Sequence, residues 1–526
     1  MFVRTKTFTN KDGSTRTYLQ IVDSHRENGR VRQRVVATLG RIEDLVERKL
    51  DRLIESLAKY SHHEWVKLQA RGLLLESARH WGYELVFHRL WENLGLAETV
   101  KRLVERTALE FPVGEAIWAM VLNRLCDPSS KRQVSTWVDT VYRPSFGQLA
   151  LHHYYRALDF LAEHQKEIEE RLFARTMNLF NYKLDLVFWD TTSTYFTGRG
   201  PAGLAALGYS RDHRPDCYQV VIGLLMTREG IPVAHRVFPG STADVVAFRT
   251  TLKELRQRFE LGRIILVADR GVVSKELLAE LERQGLEYIM GLRLRSKEAA
   301  VVLATGGRYR KTADNLLVKE VWHDADRYIV CYNPERAAYE QRRRQEILEQ
   351  LAGQLAEGGA GGLVPRGYRR FLKVEEARVS IDQEAVKRAA RYDGRYVLRT
   401  NNTDLDPEAV ARAYRELWRI ERAFRELKTG LELRPVFHWT PQRVRGHIMV
   451  CFLALLLESA LQRSLRQLGS TASLAEVLHD LDQLHAAELH LDGRRYLCRT
   501  PLVGKAYEAF KAVGLRPPPE VSVLPS

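Results

Sequence analysis

Apolar and polar residues alternate along the first forty positions, in "FVRTKTF", "STRTYLQIV" and "RVRQRVVATLG". A period of two marks half-exposed strands, and "NKDG" and "RENG" between them are hairpin turns. Residues 1–40 therefore predict a small three-stranded sheet. The period lengthens to that of helices over 41–180. There "GEAIWAMVLNRLCDPSSKRQVSTWV" (114–138) reads as two helices broken at Asp127-Pro128, because proline cannot continue a helix. From residue 184 the pattern changes again. "LDLVFWD" (184–190) and "RIILVAD" (263–269) are unbroken apolar runs, as expected of strands covered on both faces. "CYQVVIGLLMTREGIPVAHRVFPG" (217–240) is two strands around "REG", 244–260 has helical period, and "SKELLAELERQG" and "EYIMGLR" add a helix and a strand. The order strand, hairpin, helix, strand, helix, strand predicts a mixed α/β sheet.

Residues 295–402 interrupt this core with the strand-like "VKEVWHD" and "RYIVCYN", a charged helix over 334–357, the flexible run "EGGAGGLVPRG" and the strand "GRYVLRTN". Helical period returns at "YRELWRIERAFRELKTGL", from Tyr414, and again over 441–465, started by Thr440-Pro441. The expected organisation is a basic sheet (1–40), a helical, DNA-binding region (41–180), a core in two parts (181–294 and 403–466) around a β-rich insertion (295–402), and a C-terminal helical tail suited to dimerisation (467–526). The fold class is an α/β core within a multi-domain, overall α+β chain.

Charge narrows the partner. Lys and Arg exceed Asp and Glu by 15, a surplus that favours a polyanion, most often nucleic acid. The first forty residues alone hold eight Lys/Arg against three Asp/Glu. The five cysteines are scattered, with no CxxC pair, which argues for a reduced, cytoplasmic setting without structural zinc. The polar start, "MFVRTKTFTNKDG", is unlike a signal peptide. "HIMVCFLALLLESAL" reads as too short to span a bilayer and carries Glu458, so it is expected to be a core helix.

The candidate chemistry lies in three carboxylates. At about 100° per residue, Tyr414, Leu417, Trp418, Phe424 and Leu431 share one stripe of a helix, with Glu421 in its middle and Lys428 beside it. A carboxylate among apolar groups is costly unless paired. Arg425, one turn on, offers an ordinary helix ion pair. Asp190 and Asp269 each close an apolar strand, in "WDTTSTY" and "ADRGVVS". Sites gather at the carboxyl ends of strands in open α/β sheets, although an acid there also serves as a cap or turn former. Converging, the three would hold divalent cations: Mg²⁺ takes carboxylate, phosphate and water oxygens, and two ions about 4 Å apart serve phosphoryl transfer. Lys428 would then meet a DNA phosphate. The loop "GYSRDHRPD" (208–216) reads as solvated or substrate-positioning, and His438 and His447 as structural. No ordered Arg–His–Arg–Tyr set supports a tyrosine recombinase.

Taken together, "VFWDTTSTYF", "GYSRDHRPDCYQVVIGLLMTREGIPVAHRVFPGSTAD", "ILVADRGVVS" and the helix from Tyr414 resemble the DDE transposases of bacterial insertion sequences, across roughly 115–460. One branch carries Tyr, two residues, Arg, three residues, Glu, six residues, Lys. Tyr414, Glu421 and Lys428 match it; Leu417 stands at the Arg position, where Arg415, Arg422 or Arg425 could substitute. The resemblance implies a ribonuclease H-like core and Asp190, Asp269 and Glu421 as catalytic ligands of two Mg²⁺, with Mn²⁺ able to replace them. It implies DNA contacts from Tyr414, Lys428, Arg422 and Arg425. It also implies cut-and-paste transposition at terminal inverted repeats, through a hairpin and a homodimer when ends are paired, in a nucleoid-associated protein. The alternatives are a non-catalytic, domesticated DNA-binding protein and a structure-specific nuclease. The insertion's Trp322, Tyr368, Arg369, Arg370, Tyr392 and Tyr396 are expected to offer at least one aromatic to a cleft near Asp190.

Overall fold

The structure is a computed structural model describing residues 2–10, 15–27, 30–45, 74–180, 186–258, 264–271, 273–356, 368–375, 378–491 and 494–525. Most of the two N-terminal turns, the helical reading of 46–73 and the run 357–367 lie outside the described residues. The chain divides into two compact units, one of Met1–Ala78, Glu488–Tyr496 and Val523–Ser526, the other of Arg79–Ala487 and Leu497–Ser522. In the first, β1 (Phe2–Thr9), β2 (Thr15–Glu27) and β3 (Arg30–Arg41) form the expected antiparallel sheet. A further strand, β4 (Leu74–His80), falls where only helix was expected.

The second unit is built on a nine-stranded sheet. Its strands are β5 (Leu186–Tyr195), β6 (Gln219–Thr227), β7 (Pro232–Pro239), β8 (Ile265–Ala268), β9 (Glu287–Gly291), β10 (Arg310–Ala313), β11 (Leu316–His323), β12 (Asp326–Tyr332) and β15 (Arg395–Thr400). The spatial order is β10-β11-β12-β15-β9-β8-β5-β6-β7. β5, β8 and β9 run parallel, and β6 and β7 fold back antiparallel beside β5. Strands β5 to β9 thus make a ribonuclease H-like sheet. Its central strands are largely buried because both faces are covered, as β6 shows with every residue buried.

The stretch 295–402 departs from its expected form. β10, β11, β12 and β15 do not make a separate sheet; they continue the core sheet beyond β9 through the pairing of β15 with β9. Only β13 (Leu372–Glu375) and β14 (Arg378–Ile381) stand apart, as a two-stranded hairpin. They accompany a small core of Ile347, Leu351 and Phe371 from the helix Pro334–Ala356 and the turn after it. The C-terminal region is likewise not only helical. Helices Leu474–Asp482 and Ala506–Ala512 alternate with β16 (His485–Leu491), β17 (Arg494–Arg499) and β18 (Val521–Val523).

Helices cover the sheet. Val113–Cys126 and Lys131–Trp137 are the expected pair around Asp127-Pro128, the second started by a Ser130–Gln133 capping box. The helix Pro441–Gln467 has 27 residues, longer than its apolar run suggested and long enough by itself to cross a bilayer. Yet 89% of its most apolar window is buried within the protein. It packs on Leu151–Phe180, on Val113–Cys126 and on β7. A Cβ at Gly446 would strike the Leu158 carbonyl, so only glycine permits that helix–helix approach. A buried ion cluster ties the same layer to the sheet edge: Glu169 accepts the His235 N–H at 3.0 Å and the Arg236 guanidinium at 2.9 Å.

Candidate active site

Asp190 does not end its strand. It is the fifth of ten residues in β5, and the chain continues in extended form to Tyr195. Asp269 does follow its strand directly. In the parallel pairing of β5 with β8, Phe188 lies opposite Val267. Continuing that register by two residues sets Asp190 level with Asp269. Both carboxylates line an open cleft of about 550 Å³, and Glu421 lines it too. Tyr414, Arg415, Leu417, Trp418 and Tyr396 form other parts of its wall. The three candidate carboxylates therefore share one cleft, although among the described residues no three His, Cys, Asp or Glu side chains are drawn into a ready metal cage.

The segment carrying Glu421 is not one helix. Asp406 caps a first helix, Pro407–Arg415, by accepting the Ala409 N–H. The chain turns at Glu416 and Leu417, a second helix covers Trp418–Arg425, and Glu426–Gly430 is a π-helical turn. A uniform 100° projection fails across both breaks. The buried face is Val410, Ala411, Ala413, Leu417, Ile420, Ala423, Phe424 and Leu427, while Glu421 is exposed toward the cleft and Trp418 is half-exposed beside it. The expected burial of Glu421 is thus replaced by an exposed position on the cleft wall, where water screens its charge.

Tyr414 acts on a carboxylate. Its hydroxyl donates to Asp269 Oδ1 at 2.7 Å, and its ring stacks on Tyr396 with centroids 5.8 Å apart. Burial, and then the negative charge of Asp269, push the phenol well above its ordinary pKa, so it remains a donor. A Cβ on Gly291, the last residue of β9, would collide with the Tyr414 hydroxyl and ring. Glycine there is what lets the tyrosine reach Asp269.

Around Asp190 the structure adds residues outside the expected set. The carboxylate accepts the Thr191 N–H at 2.7 Å, and Arg211 approaches it at 3.8 Å. Arg211 also donates to Asp244 at 2.9 Å, and Asp244 accepts from the Thr191 hydroxyl at 2.6 Å. Burial raises the Asp190 carboxyl to about 6. Arg211 and the Thr191 N–H oppose this rise, and the negative charges of Asp269 and Asp244 add to it. The sequence signal for Arg211 was the charged loop 208–216, of which Arg211 and Asp212 turn inward while Arg214 and Asp216 pair at the surface.

Lys428 also departs from its expected place. Its ammonium donates to Asp212 Oδ1 at 2.7 Å, and Arg434 reaches the same oxygen at 2.5 Å. The side chains are 11% and 4% exposed for Lys428 and Asp212. Burial lowers the lysine, and Asp212 restores part of the shift. Lys428 is a buried ion-pair partner that anchors the 208–216 loop, and it does not line the carboxylate cleft. Arg422 is exposed beside a separate small cavity with Glu426 and Glu458, and Arg425 is exposed away from the cleft lining. Of the arginines considered for the position of Leu417, Arg415 is the one on the cleft wall.

Residues 183–457, just over half of the chain, match the transposase DDE domain. The chain belongs to that family. Residues 3–67 match the N-terminal domain of the IS1634 family of transposases, so this transposase has the two regions of an insertion-sequence protein. No curated protein matches it. Among solved structures it is similar to the piggyBac transposase in a synaptic complex with hairpin DNA, at 9% identity over 76% of this chain and 79% of that one, with a TM-score of 0.37. It is also similar to the Mos1 transposase in a paired-end complex with the left transposon end, at 14% identity over 35% and 60%, with a TM-score of 0.16. Likeness at these scores carries no weight for the site. The fold rests on the strand order and the family on the two sequence matches.

Proposed function

We propose that this transposase cuts DNA at the terminal inverted repeats of its element and joins the freed ends to target DNA, with Asp190, Asp269 and Glu421 as its catalytic carboxylates. The carrying observation is that residues from β5, from the end of β8 and from a helix more than 150 positions later line one open cleft. Each is a poor neighbour for the others without a cation, because like charges in a partly desolvated place repel. The donor chemistry suits Mg²⁺, which is held by one or two carboxylates together with water and substrate phosphate rather than by a closed protein cage. Asp190 and Asp269, adjacent across the parallel strand pair, would hold it with Glu421 opposite, and Mn²⁺ would be tolerated. When bound, two such ions would supply an activated oxygen nucleophile and charge neutralisation at the phosphate.

The protein's own groups set up that chemistry. Tyr414 fixes the orientation of Asp269 through a hydrogen bond to one oxygen. The Thr191 N–H does the same for Asp190, and the charge of Arg211, 3.8 Å away, joins it in limiting the rise in the Asp190 pKa. The Lys428–Asp212–Arg434 cluster holds the loop that carries Arg211. Attack of water on a phosphodiester at the element end would break its P–O3′ bond and free a 3′-hydroxyl; that hydroxyl would attack a phosphodiester of the opposite strand, displace its 3′-oxygen as a hydroxyl and close a hairpin, within a homodimer that pairs two ends. With that substrate the protein would work at the nucleoid, in the cytoplasm.

The test uses a plasmid carrying the gene with its flanking DNA. Asp190→Asn, Asp269→Asn and Glu421→Gln are each expected to abolish cleavage and leave DNA binding within about twofold, since the amides keep shape and remove charge. A variant that cuts at near wild-type rate removes its residue from the site. Cleavage by the wild type without joined products would establish a nuclease instead.

A further inference from the structure

A second cleft adjoins the carboxylates, and its wall is made largely of arginine. Arg270 follows Asp269, Arg293 and Arg295 follow β9, Arg343 lies on the helix Pro334–Ala356, Arg370 in the turn before β13, and Arg395 opens β15. Two more arginines on the wall are neutralised: Arg344 by a two-pronged pair with Asp393 at 2.6 Å, and Arg336 by Glu340 at 2.7 Å. Those are the two carboxylates on the wall. None of the other six guanidinium groups forms an ion pair with a carboxylate among the described residues. Arg343 meets the Tyr339 hydroxyl, Arg370 lies over Phe371, and Arg395 donates to a backbone carbonyl.

Six like charges gathered from segments 125 residues apart repel one another. Burial, then Arg295 and Arg344, already depress the guanidinium of Arg370 below its ordinary value. Elsewhere in the unit some exposed arginines meet Glu one turn away, as Arg102 does with Glu98 and Arg412 with Glu408. Apart from the charge of Glu346 near Arg343, the excess at this cleft lacks such pairs, which makes it a surface that a polyanion would neutralise. The cleft measures about 1000 Å³ and is continuous with the carboxylate cleft, for Arg270, Leu294, Glu340 and Arg395 line both.

We infer that this arginine cleft is the track for the sugar-phosphate backbone of the DNA strand that enters the carboxylate cleft, with Arg295, Arg343 and Arg370 each meeting a phosphate. Planar guanidinium groups suit phosphate because two N–H donors can face two oxygens. Tyr339, half-exposed beside them, and Tyr392 offer ring faces to a base that leaves the stack. Tyr396 lines the carboxylate cleft itself, with Asp190. The inference rests on the DNA-cutting reading above and gives it a second, non-catalytic contact surface.

The experiment measures binding of fluorescein-labelled 30-base-pair duplex and of labelled dT30 by anisotropy, from 50 to 300 mM salt. Arg295→Gln, Arg343→Gln and Arg370→Gln are compared with Arg342→Gln, an exposed arginine on the same helix that does not line the cleft. Each cleft variant should bind about fivefold more weakly, with the slope of log Kd against log salt reduced by about 0.9 on duplex or about 0.7 on single strand, while Arg342→Gln stays at wild type. A larger effect on dT30 than on duplex would mark the bound strand as unpaired, and the reverse as paired; either supports the track. Thermal melts should be unchanged or slightly raised, since removing a repelled charge does not unfold the cleft. If wild type binds DNA in a salt-dependent way but the cleft variants match Arg342→Gln, the assignment is wrong and the transposase reading stands. If wild type binds neither DNA, both fall.

Discussion

Replacing Tyr414 by Phe removes one oxygen and tests the division of labour at the cleft. The hydroxyl donates to Asp269 at 2.7 Å, and a hydrogen bond to a charged group contributes roughly 1.5–3 kcal/mol. Asp269 is exposed, so the lower end applies, and about 1.5 kcal/mol corresponds to roughly a tenfold loss in rate. Tyr414→Phe should therefore slow Mg²⁺-supported cleavage about tenfold and leave DNA affinity and its salt slope unchanged. Gly291→Ala should do the same from the other side, because the new methyl would occupy the place of the hydroxyl while Tyr396 blocks retreat of the ring. The double variant should be less than additive, since both changes break one interaction. The assay is single-turnover nicking of the flanking-DNA plasmid with saturating protein, beside anisotropy on the same DNA. Normal cleavage by Tyr414→Phe with weakened binding and a shallower salt slope would refute the argument and return Tyr414 to a DNA contact.

Lys428→Met should cost about 3 kcal/mol in urea unfolding, because it leaves buried Asp212 with Arg434 alone. A DNA salt slope lower by about 0.9 without loss of stability would instead make Lys428 a phosphate contact. Lys131, 4% exposed, has a buried amine without a hydrogen-bond partner, and burial, with Arg124 nearby, lowers it from 10.5 to about 7. Between those values the unfolded chain holds a proton that the folded chain does not. Stability should thus rise with pH across that window, by up to about 1.4 kcal/mol per unit, and Lys131→Met should flatten the rise. An unchanged pH profile of urea midpoints in Lys131→Met would show that another group causes it. Gly446→Val should lower the melting temperature by several degrees through collision with Leu158, and an unchanged melt would mean that the two helices separate at no cost.

The sequence alone was enough for the buried strands. Unbroken apolar runs such as those ending at Asp190 and Asp269 suit strands covered on both faces, and the order of strands and helices pointed to a mixed sheet; that the two strands lie side by side and parallel is shown by the structure. One helix start was legible for the same local reason: Thr440, before Pro441, accepts the Arg443 N–H three residues on. What period and spacing could not carry was any contact across the fold. Projecting one helix from Tyr414 to Leu431 placed Glu421 inside and Lys428 beside it, but two breaks in the backbone rotate each segment separately. The bond from Tyr414 to Asp269 spans 145 residues and that from Lys428 to Asp212 spans 216, and no local pattern selects such a partner. The strands of 310–332 read equally well as a domain of their own. Only the pairing of β15 with β9 makes them part of the core sheet, because an edge strand exposes hydrogen-bonding groups that any neighbour of suitable register can satisfy. Strand identity is a property of short segments, whereas the site depends on which distant segments the packed sheet brings side by side.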